Sequence, residues 1–230
     1  MIMNRAVVGP LSRRPDAELK RWSTPWRQEP RENQSPARVD NNRAKMMCLK
    51  NPNLYVLSGG PGAGKTTVLL ELARFGFHHA PEVARQIIQE QIRSGGTALP
   101  WANRQAYTCL MLQRSIESFK EHTPASKPLF TDRGIPDTLC YARLIGLGET
   151  GDIERACRQY RYAALVFLAP PWKEIYQTDS ERKQDFREAD RTYQAMAEVY
   201  RECGYETIEL PKLTPAKRAK FILDQLQLDE

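Results

Sequence analysis

Ser58-Gly59-Gly60-Pro61-Gly62-Ala63-Gly64-Lys65-Thr66-Thr67 is a glycine-rich segment that matches the phosphate-binding loop, or Walker A, pattern G-x-x-x-x-G-K-[ST]. Its glycines allow the backbone to turn tightly, so that successive N–H groups converge on phosphate oxygens. The ammonium of Lys65 then reaches the β and γ phosphates, and the Thr66 hydroxyl can bind Mg²⁺. The segment predicts a nucleoside triphosphate site whose binding residues are Gly59, Gly60, Pro61, Gly62, Ala63, Gly64, Lys65, Thr66 and Thr67.

The flanks of this loop are those that the pattern requires. Residues 54–57 form a short apolar run typical of a buried strand, and residues 67–74 have the composition of a helix. Bound phosphate is therefore expected at the positive N-terminus of that helix. ATP with Mg²⁺ is the expected cofactor, and adenine is the default base because the sequence contains no guanine-reading N-K-x-D.

Composition favours one soluble α/β domain with an appendage. The chain has 230 residues, 41% of them hydrophobic and 27% charged. No apolar run approaches the ~20 residues that span a bilayer, and the N-terminus carries no apolar signal core. The five cysteines are scattered without paired spacing, which is typical of reduced thiols and predicts a cytoplasmic location.

The excess of positive charge lies in the first 45 residues. They hold ten Lys and Arg against five Asp and Glu, whereas the rest of the chain is nearly balanced. We therefore predict a disordered, basic, Arg- and Pro-rich extension over 1–45 and a P-loop NTPase domain over 46–230, and nucleic acid is not the expected partner. This extension is expected to be dispensable, and the alternative is an arm that binds an anionic partner.

Five predicted strands alternate with helices after residue 53, which predicts a three-layer sandwich: a five-stranded parallel sheet with helices on both faces. Ligands of such sheets bind beyond the carboxyl ends of the strands. The segments expected at the site are therefore 59–66, 82, 132–133 and 170–187.

Residues 53–226 resemble the P-loop small-molecule kinases of the deoxynucleoside kinase and ribosylnicotinamide kinase (NadR) type, a lineage often labelled AAA. In Ala80-Pro81-Glu82-Val83-Ala84-Arg85 the resemblance implies that Glu82 contacts the acceptor and takes the proton of its attacking hydroxyl. A carboxylate at a strand end near the γ phosphate can act in this way as a general base. The alternative is a structural Glu at a helix start, where negative charge is favourable.

Thr131-Asp132-Arg133-Gly134 resembles the D-R motif of the same kinases. The resemblance implies that Asp132, together with Thr66, holds Mg²⁺, and that Arg133 steadies substrate or phosphate oxygens. The alternative is a structural Asp–Arg pair in a strand-to-helix turn. Gly134 replaces a frequent Ser, so no hydroxyl contact is expected from that position.

Two further segments complete the resemblance. Residues 180–188 resemble the mobile lid of these kinases, expected at about 171–188, and the resemblance implies that Arg182 and Arg187 bind the transferring phosphate. The alternative is a solvated, charged helix start, since Glu181 and Asp185 balance much of the positive charge. Residues 104–110 resemble the helix whose Gln recognises a nucleobase, which implies acceptor binding by Gln105; a polar position on an amphipathic helix is the alternative.

The prediction is an enzyme that transfers the γ-phosphoryl of ATP to a hydroxyl of a small nucleoside-like acceptor, with Lys65, Glu82, Asp132, Arg182 and Arg187 as catalytic residues. The alternative is an ATPase or a nucleotide-dependent switch that acts through a protein or lipid partner. The sequence does not identify the acceptor and gives no indication of the oligomeric state.

Overall fold

The computed structural model describes residues 48–175 and 186–229. The predicted extension over 1–45 lies outside these residues, and so does most of the predicted lid, including Arg182. Within the described ranges, no helix combines the length and the apolar character that crossing a membrane requires.

The central element is a parallel sheet of five strands, as predicted. Its strands are β2 (Leu54–Gly59), β3 (His78–Ala80), β4 (Leu129–Asp132), β6 (Leu165–Ala169) and β7 (Glu206–Glu209). The strand β2, which leads into the phosphate-binding loop, lies in the middle, and the order across the sheet is β3-β4-β2-β6-β7. Val56 of the central strand stands opposite Thr131 on one side and Val166 on the other.

Helices cover both faces of the sheet. Neighbouring residues of the central strand pack into different cores, Val56 with one helix layer and Leu57 with the other, because successive strand side chains point to opposite faces. The confirmed α/β class thus rests on strands buried on both sides. The helices are α1 (Lys65–Arg74), α2 (Val83–Ser94), α3 (Arg104–Glu121), α4 (Ile135–Leu144), α5 (Gly151–Gln159), α6 (Phe186–Glu202) and α7 (Pro215–Leu226), with a 3₁₀ turn at Lys173–Ile175.

Local contacts set two of the helix boundaries. Helix α3 begins at Arg104, because the side chain of Asn103 accepts a hydrogen bond from Ala106 N at 3.0 Å and caps the first turn. Helix α5 ends at Gln159. Tyr160 there begins a strand, β5 (Tyr160–Arg161), which pairs in parallel with β1 (Leu49–Lys50).

Candidate active site

The phosphate-binding loop leaves the sheet at Gly59, where only glycine fits. Gly59 has a φ of 133°, and a Cβ there would lie 2.3 Å from the carbonyl oxygen of Ala169 on the neighbouring strand β6. Gly62 and Gly64 also have positive φ, at 71° and 76°, a region that glycine occupies without strain. The loop thus turns tightly beside β6 and wraps a cavity of about 170 Å³, lined by Gly62, Ala63, Gly64, Lys65, Thr66, Thr67, Glu82 and Ile175.

Lys65 lies across its own loop. Its ammonium donates hydrogen bonds to the carbonyl oxygens of Gly59 and Gly60 at 3.1 and 3.0 Å, and the residue is only 4% exposed. These bonds hold the positive charge at the floor of the loop, beside the cavity. In phosphate-binding loops this ammonium reaches the β and γ phosphates.

Asp132 and Thr66 lie together at the carboxyl edge of the sheet. Thr66 Oγ1 donates to Asp132 Oδ2 at 3.4 Å, whereas Asp132 Oδ1 is buried without a hydrogen-bond partner among the described residues. Burial, which is the largest effect, and the charge of Glu82 raise the pKa of Asp132, while Lys65 opposes this rise. A buried, unsatisfied carboxylate oxygen next to a hydroxyl fits a hard cation such as Mg²⁺.

Arg133 joins the two predicted catalytic carboxylate regions. It follows β4 with a φ of 75°, and its Nε donates to Glu82 Oε1 at 2.9 Å while its Nη1 donates to Asp137 Oδ1 at 3.0 Å. Burial lowers the pKa of Arg133, but Glu82, Asp137 and Asp132 together raise it by more, so the guanidinium stays charged. Glu82, at the N-terminus of α2, is thereby held against the cavity that it lines.

Asp137 is a site residue that the sequence analysis missed. It is 3% exposed and accepts hydrogen bonds from Ser58 Oγ at 2.6 Å, from Tyr200 Oη at 2.5 Å and from the backbone N of Gly134 at 2.8 Å, besides that of Arg133. Burial first, and then the charge of Asp137, raises the pKa of Tyr200 well above its ordinary value. The available signal was the spacing: Asp137 lies four residues after Arg133 in a helix start, where such pairs face each other.

Gly134, which replaces a Ser of the resembling kinases, is explained by its neighbours. A Cβ at this position would lie 3.1 Å from Tyr200 Oη and 3.2 Å from a ring carbon of Tyr162. The hydroxyl of Tyr200 therefore fills the space next to the D-R turn that a Ser side chain needs.

A second cleft lies next to Arg133, between α2, α3 and the ends of β3 and β4. Its open volume is about 20 Å³, which accommodates about one water molecule. Helix α3 contributes Met111, Ser115, Ser118 and Phe119 to its lining. Gln105, by contrast, is exposed in the first turn of α3 and is not among the lining residues.

The predicted lid arginines are only partly within the described residues. Arg182 lies outside them, and Arg187 is exposed near the first described residue of α6. The start of α6 does pack on the phosphate-binding loop, since a Cβ on Gly60 would lie 3.0 Å from the carbonyl oxygen of Ala189. On the other side of the undescribed segment, Ile175 lines the loop cavity.

Comparison with solved structures finds the same fold in P-loop kinases. The NadR protein in complex with NR aligns at a TM-score of 0.60 with 18% identity over 77% of this chain, and the chain spans 52% of that protein's length. Deoxyadenosine kinase from M. mycoides aligns at a TM-score of 0.57 with 13% identity, over 76% of this chain and 98% of that one. Thymidylate kinase from Ehrlichia chaffeensis aligns at 0.53 with 15% identity, over 77% of this chain and the whole of that one.

Comparison of the sequence with curated proteins finds no significant match. The family model described as AAA domain, however, matches residues 54–218, from the first residue of β2 into α7. This match covers more than half of the 230 residues and includes the loop and both carboxylate regions. The chain therefore belongs to the AAA domain family.

Proposed function

We propose that this chain is a small-molecule kinase, which transfers the γ-phosphoryl group of ATP to a hydroxyl of a nucleoside-like metabolite. The observation that carries the proposal is the grouping of two carboxylates, Glu82 and Asp132, beside Lys65 and Thr66 at the loop cavity. An ATP-dependent transfer needs a carboxylate for the cation and another for the acceptor proton. We assign Asp132 to the cation and Glu82 to the acceptor proton.

At the nucleotide, the protein has to position the phosphates and offset their negative charge. The N–H groups of the loop and the ammonium of Lys65 would bind the phosphates, and the lid residues Arg182 and Arg187 are assigned to the transferring group. Thr66 and Asp132 would hold Mg²⁺. When bound, the cation supplies positive charge that offsets the phosphate oxygens.

Glu82 is assigned as the base for the acceptor hydroxyl. Arg133 Nε donates a hydrogen bond to Glu82 Oε1 at 2.9 Å, and Glu82 lines the loop cavity. An ionised carboxylate within hydrogen-bond reach of an alcohol can accept its proton as the phosphoryl group is transferred. Arg133 and Gln105 are assigned to acceptor binding.

Nucleosides and NR are the first acceptors to test, because this chain shares its fold with the NadR protein that was solved in complex with NR and with deoxyadenosine kinase. At 13–18% identity these relatives support a choice of compounds and not an assignment.

An ATPase or a nucleotide-dependent switch is the second candidate function, and one observation favours it. The cleft beside Arg133 has an open volume of about 20 Å³, which holds a water molecule and is too small for a sugar. A kinase must therefore open this cleft to admit its acceptor, whereas hydrolysis needs only the water.

The decisive measurement is ADP release from ATP and Mg²⁺, with and without each of a panel of nucleosides and NR. A kinase shows turnover that rises with one acceptor and yields its phosphate ester. Lys65→Ala and Glu82→Gln should each lower that turnover by at least a hundredfold, because one loses phosphate binding and the other the base. Exposed Glu117, changed to Gln, is the matched control for Glu82.

The two candidates separate cleanly in this assay. Turnover that no acceptor stimulates, lost in Lys65→Ala but kept in Glu82→Gln, would refute the kinase and support the switch.

A further inference from the structure

Arg218 is a buried cation outside the catalytic constellation. It lies in the first turns of α7, is 2% exposed, and its Nη1 donates a hydrogen bond to the carbonyl oxygen of Ala63 at 2.8 Å. Its Nε is buried without a hydrogen-bond partner, and no carboxylate among residues 48–175 and 186–229 forms an ion pair with it. Charge this deeply buried is usually paired.

Removing this guanidinium from water disfavours its charged form. Burial lowers the pKa of Arg218 to about 10. A hydrophobic residue of similar size at this position would avoid that cost, as replacements of buried charges often do. The contact between Arg218 and the phosphate-binding loop gives a reason for a guanidinium, and not a hydrophobic side chain, at this position.

The contact falls on the peptide that joins Ala63 to Gly64, at the centre of the phosphate-binding loop. A Cβ on Gly64 would lie 3.1 Å from Arg218 Nη1, so the guanidinium lies against this peptide. In a planar trans peptide the C=O and the N–H point to opposite sides. With its carbonyl held by Arg218, the Ala63–Gly64 peptide directs the N–H of Gly64 away from the arginine, and both residues line the loop cavity.

We propose that Arg218 is a positioning residue of the phosphate cradle: its guanidinium holds the Ala63 carbonyl from behind the loop, so that the Gly64 N–H is aimed at, and polarised for, the polyphosphate. A hydrogen bond from a charged donor is about twice as strong as a neutral one and polarises the peptide that accepts it. The polyphosphate in turn supplies the negative charge that the buried guanidinium lacks. This inference rests on the proposed nucleotide-dependent function, but it concerns binding and not transfer.

The proposal makes the effect of Arg218 depend on the charge of the ligand. Removing the guanidinium should weaken binding most for ATP and inorganic triphosphate, less for ADP, and hardly at all for adenosine. A residue that merely fills space would weaken all four ligands by the same factor, or none of them.

Titration calorimetry of the full-length protein with these four ligands tests this. Arg218→Met should raise the Kd of ATP and triphosphate about tenfold and that of adenosine less than twofold. Arg218→Lys, which keeps a charged donor, should stay within about threefold of the wild type. Lys217→Met, which removes the same charge from the exposed side of α7, is the matched control and should leave all four Kd values nearly unchanged.

Thermal unfolding without ligand provides the independent readout. Arg218→Met should be at least as stable as the wild type, because it removes an unpaired buried charge. If this variant does not fold, Arg218→Gln, a neutral donor, takes its place and should fall between Lys and Met in triphosphate affinity.

Two results overturn the inference. One is an equal loss for charged and uncharged ligands in Arg218→Met, and the other is triphosphate affinity at the wild-type level. If the wild type itself binds neither ATP nor triphosphate, the proposed function fails together with the role of Arg218. Normal wild-type binding with an unaffected Arg218 variant removes the role of Arg218 alone.

Discussion

Asp137 shows how a single buried carboxylate organises the catalytic turn. Donors from β2, from the start of α4, from the D-R turn and from α6 all converge on its two oxygens. Arg133 owes its direction to this carboxylate and to Glu82 on its other side. The position of the assigned base therefore depends on a residue that need not touch the substrate.

We expect Asp137→Asn to lower the free energy of unfolding by about 2–4 kcal/mol, because the amide removes the countercharge of Arg133 and places N–H donors against other donors. Urea unfolding measures this loss. Asp152→Asn is the control, since Asp152 pairs with Arg155 at an exposed site and should cost less than about 0.5 kcal/mol. Equal stability of the two variants would contradict the role given to Asp137.

At the scale of elements, the loop is anchored by the close approach of β2 to β6. We expect Gly59→Ala to lose about 2–3 kcal/mol of stability, because its Cβ would overlap Ala169 O and its φ of 133° disfavours a side chain. Gly148→Ala, with nothing within 4 Å of its Cβ, should change stability by less than about 0.5 kcal/mol. Thermal unfolding of both variants measures these losses. A Gly59→Ala protein as stable as Gly148→Ala would refute the anchoring of the loop by the approach of β2 to β6.

Helix α3 allows a direct test of the acceptor assignment. If Gln105 binds the acceptor, Gln105→Ala raises the KM for the acceptor at least tenfold and leaves the KM for ATP unchanged. Gln113→Ala is the matched control, because Gln113 is exposed on the same helix and donates a hydrogen bond to Glu117, one turn further along α3. Identical KM values for the two variants would remove Gln105 from the site and leave recognition to the residues that line the cleft.

The sequence predicted those elements whose signal is local. The loop has its spacing within ten residues, and the buried strands are continuous apolar runs bounded by Gly and Pro. Two-residue strands such as β1 and β5 are too short to show a period, so their pairing was missed. Tyr200 and Arg218 were missed for another reason: Tyr200 lies 63 residues from its partner Asp137, and Arg218 lies 155 residues from Ala63. No motif links residues so far apart.

At the scale of the whole molecule, every site residue on the described sheet lies after residue 53, as does the family match. We therefore expect a chain that starts at Met46 to keep the unfolding temperature within about 2 °C and to keep ATP binding and turnover within about twofold. Side-by-side assays of the full and shortened chains check this. Turnover abolished by the shortening would favour a functional arm that binds an anionic partner.

The 3₁₀ turn at Lys173–Ile175 has a practical consequence for optical work. Of the four tryptophans in the sequence, Trp22 and Trp26 precede Met46, which leaves Trp101 and Trp172 in the shortened chain. The backbone carbonyl oxygen of Trp172 accepts a hydrogen bond from the backbone N–H of Ile175, and Ile175 lines the loop cavity. With Trp101 replaced by Phe, the shortened protein would carry a single tryptophan, three residues before a residue that lines the loop cavity. Its emission would then be the natural signal to test for nucleotide arrival in real time, without any attached dye.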